Sequence, residues 1–372
     1  MLGAGLLAGA VIYYGATSEV AWLFLLGYWI VALVFASLLY AVWNVSRVRG
    51  TYGLAGVMFS PADSPRSELP ESILRSSPQA VIFEGDQLRI KLGARTVAGA
   101  RGPVRLKGRV AGTELNAASG LVPKSGWEEQ RLIGPVRRGA VQAASWVLDA
   151  SDPLGLFTFD VHWKDRELGV VLPRFTSLTS RPQVRELEAS IAAPRAGSGT
   201  EMFGVREYRP GDPLRRIHWR SSARHGELIV REFEPPGVQT VGIFCDPSPP
   251  TPEAADQIAR LAASEAWDCL RAGGRVVLWT PGAEPSLPSD SRSLWALLEW
   301  LARYPNKVDG VAAQAPRVSD AIAVMATAGP EIDDALATIR HRGGTVRAWV
   351  VGDADVGSDM NVQRAGLEWP LP

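Results

Sequence analysis

The strongest constraint on this chain lies at its start: between Leu2 and Val45 one side chain, Glu19, carries a charge. So much apolar surface has to be buried in a large core or in a bilayer. The run divides at "TSE" into "LGAGLLAGAVIYYGA" and "VAWLFLLGYWIVALVFASLLYAVWNV". The second segment exceeds the roughly 20 residues that a span needs, and Trp22 and Trp43 stand near its ends, where interfacial aromatics belong. The first is short, and its glycines permit close approach of a partner helix. Together they predict a transmembrane hairpin over residues 1–46, with a single span by the second segment as the alternative. A cleaved signal peptide would need a basic segment ahead of the apolar run, and none precedes it. Arg47 and Arg49 follow at once. By the positive-inside rule the exit side is then cytoplasmic, so a two-pass protein of the cell membrane with its soluble body in the cytoplasm is expected.

The other 326 or so residues suffice for two or three domains. The 39 basic and 39 acidic side chains cancel, which argues against a whole-protein electrostatic grip on nucleic acid. Cys245 and Cys269 fall in segments read as a strand and a helix, so they are expected to be reduced core residues.

Residues 47–190 read as a linker followed by a β-rich domain. "SPADSPRSELPESILRSSPQ" (60–79) has the Ser and Pro content of a linker or irregular strap. The short alternating runs "QLRIKLGA", "PVRLKGRVAG" and "AASWVLDA", each bounded by turn residues, predict a β-sandwich or small barrel. In "SDPLGLFTFDVHW", Asp152-Pro153 sets a turn, Gly155 allows a tight bend and "LFTFDVHW" resumes a strand.

Residues 238–372 alternate regularly. "VQTVGIFCD", "RVVLW", "AIAVMAT" and "VRAWVV" are continuous apolar strands, and "TPEAADQIARLAASEAWDCLRAGG", "SRSLWALLEWLARY" and "PEIDDALATIRHRGG" are helices between them. That pattern predicts a mostly parallel sheet covered on both faces, whose site belongs at the carboxyl ends of the strands. There stands "CDPSPP", in which Asp246 and Ser248 offer two oxygen donors to a hard cation such as magnesium. The metal-ion-dependent adhesion site of von Willebrand A domains has Asp-x-Ser-x-Ser at this place and an Asp in a later Thr-Asp-Gly turn. Here Pro250 and Ala328 occupy the positions of two further donors, so the motif is incomplete, and a turn-capping role for Asp246 is the competing reading.

Between these regions, residues 191–237 hold "REYRPGDPLRRIHWRSSARHGELIVREFE". "RPGD" reads as a turn, "LRRIHWR" and "ELIVREFE" as strands, so the stretch predicts a β-ribbon with Ile217 and Trp219 on one face and Arg216, His218 and Arg220 on the other. Arginine suits bidentate pairing with carboxylate or phosphate, and Glu207, Asp212, Glu227, Glu232 and Glu234 are close enough to supply internal partners.

This stretch resembles the signature of a bacterial membrane-anchored family catalogued as domain of unknown function fifty-eight, supported by "SDPLGLF", the apolar hairpin and the von Willebrand A-like region. The resemblance implies a multi-domain membrane protein: a transmembrane hairpin, a β-sandwich-like domain, the Arg-rich ribbon and a von Willebrand A-like α/β domain. It also implies work beside a MoxR-type AAA+ ATPase and a transglutaminase-like membrane protein, and no enzymatic activity. Partner-binding residues in the signature would be Arg206, Tyr208, Arg209, Gly211, Asp212, Arg215, Arg216, His218, Trp219 and Arg220.

The residues themselves hold no Gly-x-x-x-x-Gly-Lys-Ser/Thr loop, no Gly-x-Ser-x-Gly elbow and no His-Glu-x-x-His helix. The expectation is therefore a non-enzymatic membrane-anchored adaptor without a cofactor. The alternative is binding of anionic lipid or phosphate through Arg206, Arg209, Arg215, Arg216, Arg220 and Arg224, since a body held at the inner leaflet feels its negative potential.

Overall fold

The structure is a computed structural model that describes residues 2–18, 20–59, 64–77, 80–97, 99–178, 202–207, 222, 228–233, 240–282, 294–305, 315–327, 329–352 and 361–369. Its contacts divide into two units. Residues 1–64 and 78–171 form the first, and residues 65–77 and 172–372 the second.

The first unit begins with helices α1 (Leu2–Ser18) and α2 (Ala21–Arg47). They pack against each other where Gly27 leaves room for Ile12, and a Cβ there would collide with that side chain. Of the two, α2 is long and apolar enough to cross a membrane. Its buried positions beyond Gly27 are Ser37, Ala41 and Asn44, spaced four and three apart and thus on one helix face.

Two sheets follow. One has the order β1 (Val48–Met58), β3 (Gln87–Thr96), β6 (Trp127–Ile133), and both of its pairings are antiparallel. The other runs β2 (Ile82–Phe83), β9 (Arg166–Leu172), β7 (Gly139–Ser151), β4 (Val104–Val110), β5 (Thr113–Ser119), with β8 (Thr158–His162) also paired to β7. Alternate residues of both sheets enter one core, including Leu88, Ile90 and Leu92 of β3 and Leu106, Trp146 and Leu148 of β4 and β7. Trp146 stacks on Tyr52 of β1 with ring centroids 4.5 Å apart and planes at 6°, so an aromatic pair joins the two sheets.

Helix α2 is latched onto this sandwich. The Tyr40 hydroxyl donates to the Gly102 carbonyl at 2.8 Å, and the Asn44 amide donates to the carbonyls of Ser151 (2.9 Å) and Pro103 (3.3 Å). The Arg101 guanidinium lies 3.5 Å above the centre of a Trp43 ring, a cation–π contact. Beside the latch, Asp152 closes the turn after β7: its carboxylate accepts from the amides of Leu154 (2.8 Å) and Phe157 (2.7 Å), and Gly155 supplies the positive φ of 70°.

In the second unit, β12 (Thr240–Cys245), β13 (Arg275–Trp279), β14 (Asp320–Met325), β15 (Val346–Val351) and β16 (Asn361–Ala365) form a wholly parallel sheet in the order β13-β12-β14-β15-β16. Helices α4 (Pro252–Arg271), α5 (Leu294–Arg303) and α6 (Pro330–His341) connect the first four strands. The Thr251 hydroxyl caps α4 by accepting from the Ala254 amide, ahead of Pro252, a residue pre-set for a first helical turn.

The segment expected to be a linker departs from that expectation at residues 65–77, which pack with the α/β unit. The short helix α3 (Glu71–Arg75) lies there, and Trp295 of α5 donates its indole N–H to the Ile73 carbonyl at 3.2 Å. Nearby, Glu68 accepts from the Thr176 hydroxyl (2.5 Å) and the Ser177 amide (2.8 Å). Ser and Pro content marks a segment without periodic structure, but its backbone carbonyls and one acid still supply partners.

Asp152 makes the sandwich pH-sensitive. Burial works to raise its pKa, but the nearby Ser37 side chain and the hydrogen bonds from the Phe157 and Leu154 amides outweigh burial and hold it below the ordinary 3.8. The folded pKa is thus lower than the unfolded one, so its stabilisation is complete above the unfolded value and is lost as pH falls through the folded one. Asp152→Asn should destabilise the sandwich by about 1–3 kcal/mol at neutral pH, with the difference from wild type shrinking below about pH 4. Chemical denaturation of the detergent-solubilised chain across pH 3–7 measures this.

Candidate functional site

In a parallel sheet the strand order reverses where connections pass to opposite sides, and the crevice at the carboxyl ends there is the natural site. Here the reversal falls between β12 and β14. Asp246 follows β12 directly, and Ala326 and Thr327 follow β14.

The buried Asp246 carboxylate spans that crevice. One oxygen accepts from the Ser248 amide at 2.8 Å. The other accepts from the amides of Ala326 (3.1 Å) and Thr327 (2.8 Å) and from the Thr327 hydroxyl (2.7 Å). The Tyr304 hydroxyl donates to the Asp246 carbonyl. A carboxylate offers about four acceptor positions, and here four donors converge on it. Magnesium needs those lone pairs for itself, whereas this arrangement points N–H and O–H groups at them. Asp246 as placed is a pin between two loops and does not fit a cation. Ser248 contributes its amide to the pin, Pro250 has no side-chain oxygen, and Ala328 lies outside the described residues. Among the described residues no three His, Cys, Asp or Glu side chains gather as a metal site would require.

A second polar cluster underlies the same sheet. Glu265 of α4, buried at 1% exposure, accepts from the indole N–H of Trp349 at 2.6 Å and pairs with the Arg347 guanidinium, both on β15. One turn on, Asp268 accepts from the Ser177 hydroxyl (2.7 Å) and the Leu178 amide (2.6 Å), holding the chain that enters the unit against α4. Cys269 lies between these acids, and burial, with Glu265 nearby, pushes its thiol up to about 12. That is opposite to what a nucleophilic thiol requires. The sequence carries a sign of this cluster in acidic residues at core-facing positions of an amphipathic helix, but their partners on β15 lie more than 80 residues away.

A cavity of about 690 Å³ opens in this unit between residues 68–73 and α4 and α5, with Trp267, Leu270 and Leu294 as its apolar lining and Glu68 and Arg271 as its charged lining. Arg271 donates to the Ser177 hydroxyl at 3.2 Å, and Glu68 is held by Thr176 and Ser177, so both charges have partners inside the unit.

Of the ribbon, β10 (Met202–Glu207) and β11 (Ile229–Phe233) are described and pair antiparallel, with Arg206 opposite Val230. Tyr208, Arg209, Gly211, Asp212, Arg215, Arg216, His218, Trp219 and Arg220 lie outside the described residues. The same ribbon falls within a family match. Residues 204–315 match the family described as Protein of unknown function DUF58. The chain is also similar to the uncharacterized protein YeaD of Bacillus subtilis (strain 168), 24% identical over 131 residues, which is 35% of this chain. The aligned stretch covers 28% of that relative's length. The match takes in β11, β12, α4, β13 and α5, so it includes Asp246 and the Glu265–Asp268 stretch of α4.

Two outcomes follow from these geometries. Asp246→Ala leaves the buried Ala326 amide and two part-buried amides without their acceptor and should destabilise the α/β unit by about 1–3 kcal/mol, whereas millimolar magnesium should leave the melting temperature of the wild-type chain unchanged, because a ligand that does not bind the native state cannot shift it. Thermal denaturation with and without the ion reads both. Cys269 should stay unmodified by a thiol reagent at pH 8 until denaturant is added, as mass spectrometry of the alkylated chain would show.

Proposed function

We propose that this chain is a non-enzymatic adaptor of the cell membrane, anchored by a two-pass hairpin with its soluble body in the cytoplasm. It works with a MoxR-type AAA+ ATPase and a transglutaminase-like membrane protein in the assembly or maturation of membrane or envelope proteins. The observation that carries this reading is the latch of Tyr40, Trp43 and Asn44 on the sandwich. A helix that only keeps a catalytic domain near a membrane needs no side-chain contact with it. A helix fixed by part-buried hydrogen bonds to a close-packed sandwich passes on displacement of that body, because packed interiors deform little.

The α/β unit is read as a von Willebrand A-like domain with an incomplete metal motif. Asp246 and Ser248 after the first strand are where such a domain sets donors, Pro250 and Ala328 replace two others, and Asp246 is instead bonded by the Ser248 amide and by Thr327. Recognition then falls to side chains of the ribbon, with Arg215, Arg216, His218, Trp219 and Arg220 as the docking residues.

The test is purification of the tagged full-length chain from gently solubilised membranes with a slowly hydrolysed ATP analogue, followed by mass spectrometry. An AAA+ ATPase should accompany the wild type and fall by about tenfold with an Arg216→Ala, Trp219→Ala variant whose melting temperature is unchanged, equivalent to about 1.4 kcal/mol of binding. Recovery of no ATPase under any nucleotide condition would overturn the adaptor reading.

A further inference from the structure

Trp22 and Trp43 are 21 positions apart on α2, about 32 Å along the axis, which matches the thickness of a bilayer's hydrocarbon core. Taking the reading that α2 spans the membrane, Trp43 marks the interface, and every residue before it lies on the membrane side. Tyr40 is one turn deeper, and Ser37 is about 9 Å deeper.

The sandwich touches α2 at these deeper positions. Gly102 is bonded by Tyr40, whose side chain, like other long side chains on a helix, leans towards the N-terminus and hence inward. A Cβ at Gly102 would meet the Gly120 carbonyl and Leu121, so that loop packs on Gly102; the Ser151 amide donates to the neighbouring Pro103 carbonyl, and Leu154 and Phe157 are bonded to Asp152. Two loops of the sandwich, around Leu121 and around Leu154, therefore reach below the level of Trp43. Arg101 ties the first to the helix, through its backbone pairing with Val122 and its guanidinium over Trp43.

What these loops present is suited to that depth. Leu121 is 60% exposed and Leu154 55% exposed, and the exposed tip Pro153-Leu154-Gly155 carries no charge. Inside the tips, the backbone carbonyls and the Asp152 carboxylate have partners, whereas the Ser37 hydroxyl and the Asn44 amide oxygen are buried without a hydrogen bond. The Gly102, Pro103 and Ser151 carbonyls take hydrogen bonds from Tyr40 and Asn44, and the Asp152 carboxylate takes those of two amides. Lipid offers no hydrogen bonds, so bonded backbone carbonyls inside and leucine outside suit a bilayer boundary.

We infer that the sandwich is seated in the membrane, with the Leu121 loop and the Pro153–Gly155 turn inserted beside α2 into the boundary between headgroups and acyl chains. The occupant of this apolar rim is the lipid bilayer, because the rim continues the surface of the membrane helix itself. An insertion of about 5 Å, at the shallow end of the depth at which interfacial elements lie, agrees with the one-turn offset between Trp43 and Tyr40. The "SDPLGLF" stretch then has a physical role, in which Asp152 and Gly155 shape a turn whose leucine enters the membrane.

The test rests on the full chain in phosphatidylcholine nanodiscs, with an environment-sensitive fluorophore on one introduced cysteine at a time. Both native cysteines are buried, so labelling is selective. The positions are Leu154→Cys, Leu121→Cys, Leu33→Cys in the middle of α2, and Thr113→Cys at the far end of the β4–β5 hairpin. With lipid spin-labelled near the top of the acyl chain, fluorescence at 154 and 121 should fall at least twofold, and fluorescence at 113 should be unchanged. With the spin label deep in the chain, fluorescence at 33 should fall. If 33 is quenched while 154 and 121 behave like 113, the helix spans and the seated loops are refuted. If 33 is not quenched by either lipid, α2 is not in the bilayer, and both the anchoring and this inference fall together.

Discussion

The amide of Asn44 does more to define this molecule than any single apolar contact. It sits in the last turn of an otherwise apolar helix with no exposed surface, and both carbonyls it serves belong to the sandwich. A buried amide without partners would cost about 1–3 kcal/mol, so the helix end and the sandwich loops stabilise each other or neither is well placed. Around that bond the rest of the junction follows in order. Ala41 packs between Ser37 and Asn44 on one face, Tyr40 reaches Gly102, and Trp43 stacks under Arg101.

The α/β unit is organised by the same kind of interaction at two places. Asp246 draws the loops after β12 and β14 together across the point where strand order reverses, and Glu265 fixes α4 over β15 through Trp349 and Arg347. Replacing such buried groups by apolar ones of equal volume often leaves stability unchanged, whereas removing one partner is severe. Their effect is therefore positional: a parallel sheet packed only by aliphatic side chains tolerates small slides of its helices, and an ion pair with a shared indole donor does not.

Much of this was legible before any coordinates. Seventeen and twenty-seven residues of helix correspond to the two apolar segments, Thr251 and Pro252 mark the start of α4, and the apolar runs at 240–245, 275–279, 320–325 and 346–351 are the first four strands of the sheet. The strand β16 was not, because "NVQRA" is an edge with a largely polar face and no apolar run to betray it. Asp246 stood out in the sequence, yet its partners Ala326 and Thr327 act through backbone amides, which leave no residue-type signature. Asn44 was visible as a lone amide in an apolar helix, a placement that in a membrane segment calls for a partner, but nothing in the sequence says that the partner is a strand end more than 100 positions on. The docking of residues 65–77 was hidden for a similar reason, since Ile73 contributes only its carbonyl.

The same uses of acids change what a net charge of zero means. Among the described residues eight acidic side chains are buried, from Glu84 to Asp320, against two basic ones, Arg101 and Arg347. Asp86, Asp152, Asp246 and Asp268 hold backbone amides, so an approaching phosphate or carboxylate does not meet them. Contact recognition acts over a Debye length of about 8 Å at physiological salt and depends on the groups that reach the surface, from which more acids than bases are withdrawn among the described residues. A formal charge of zero therefore does not describe how the charges of the described residues divide between interior and surface.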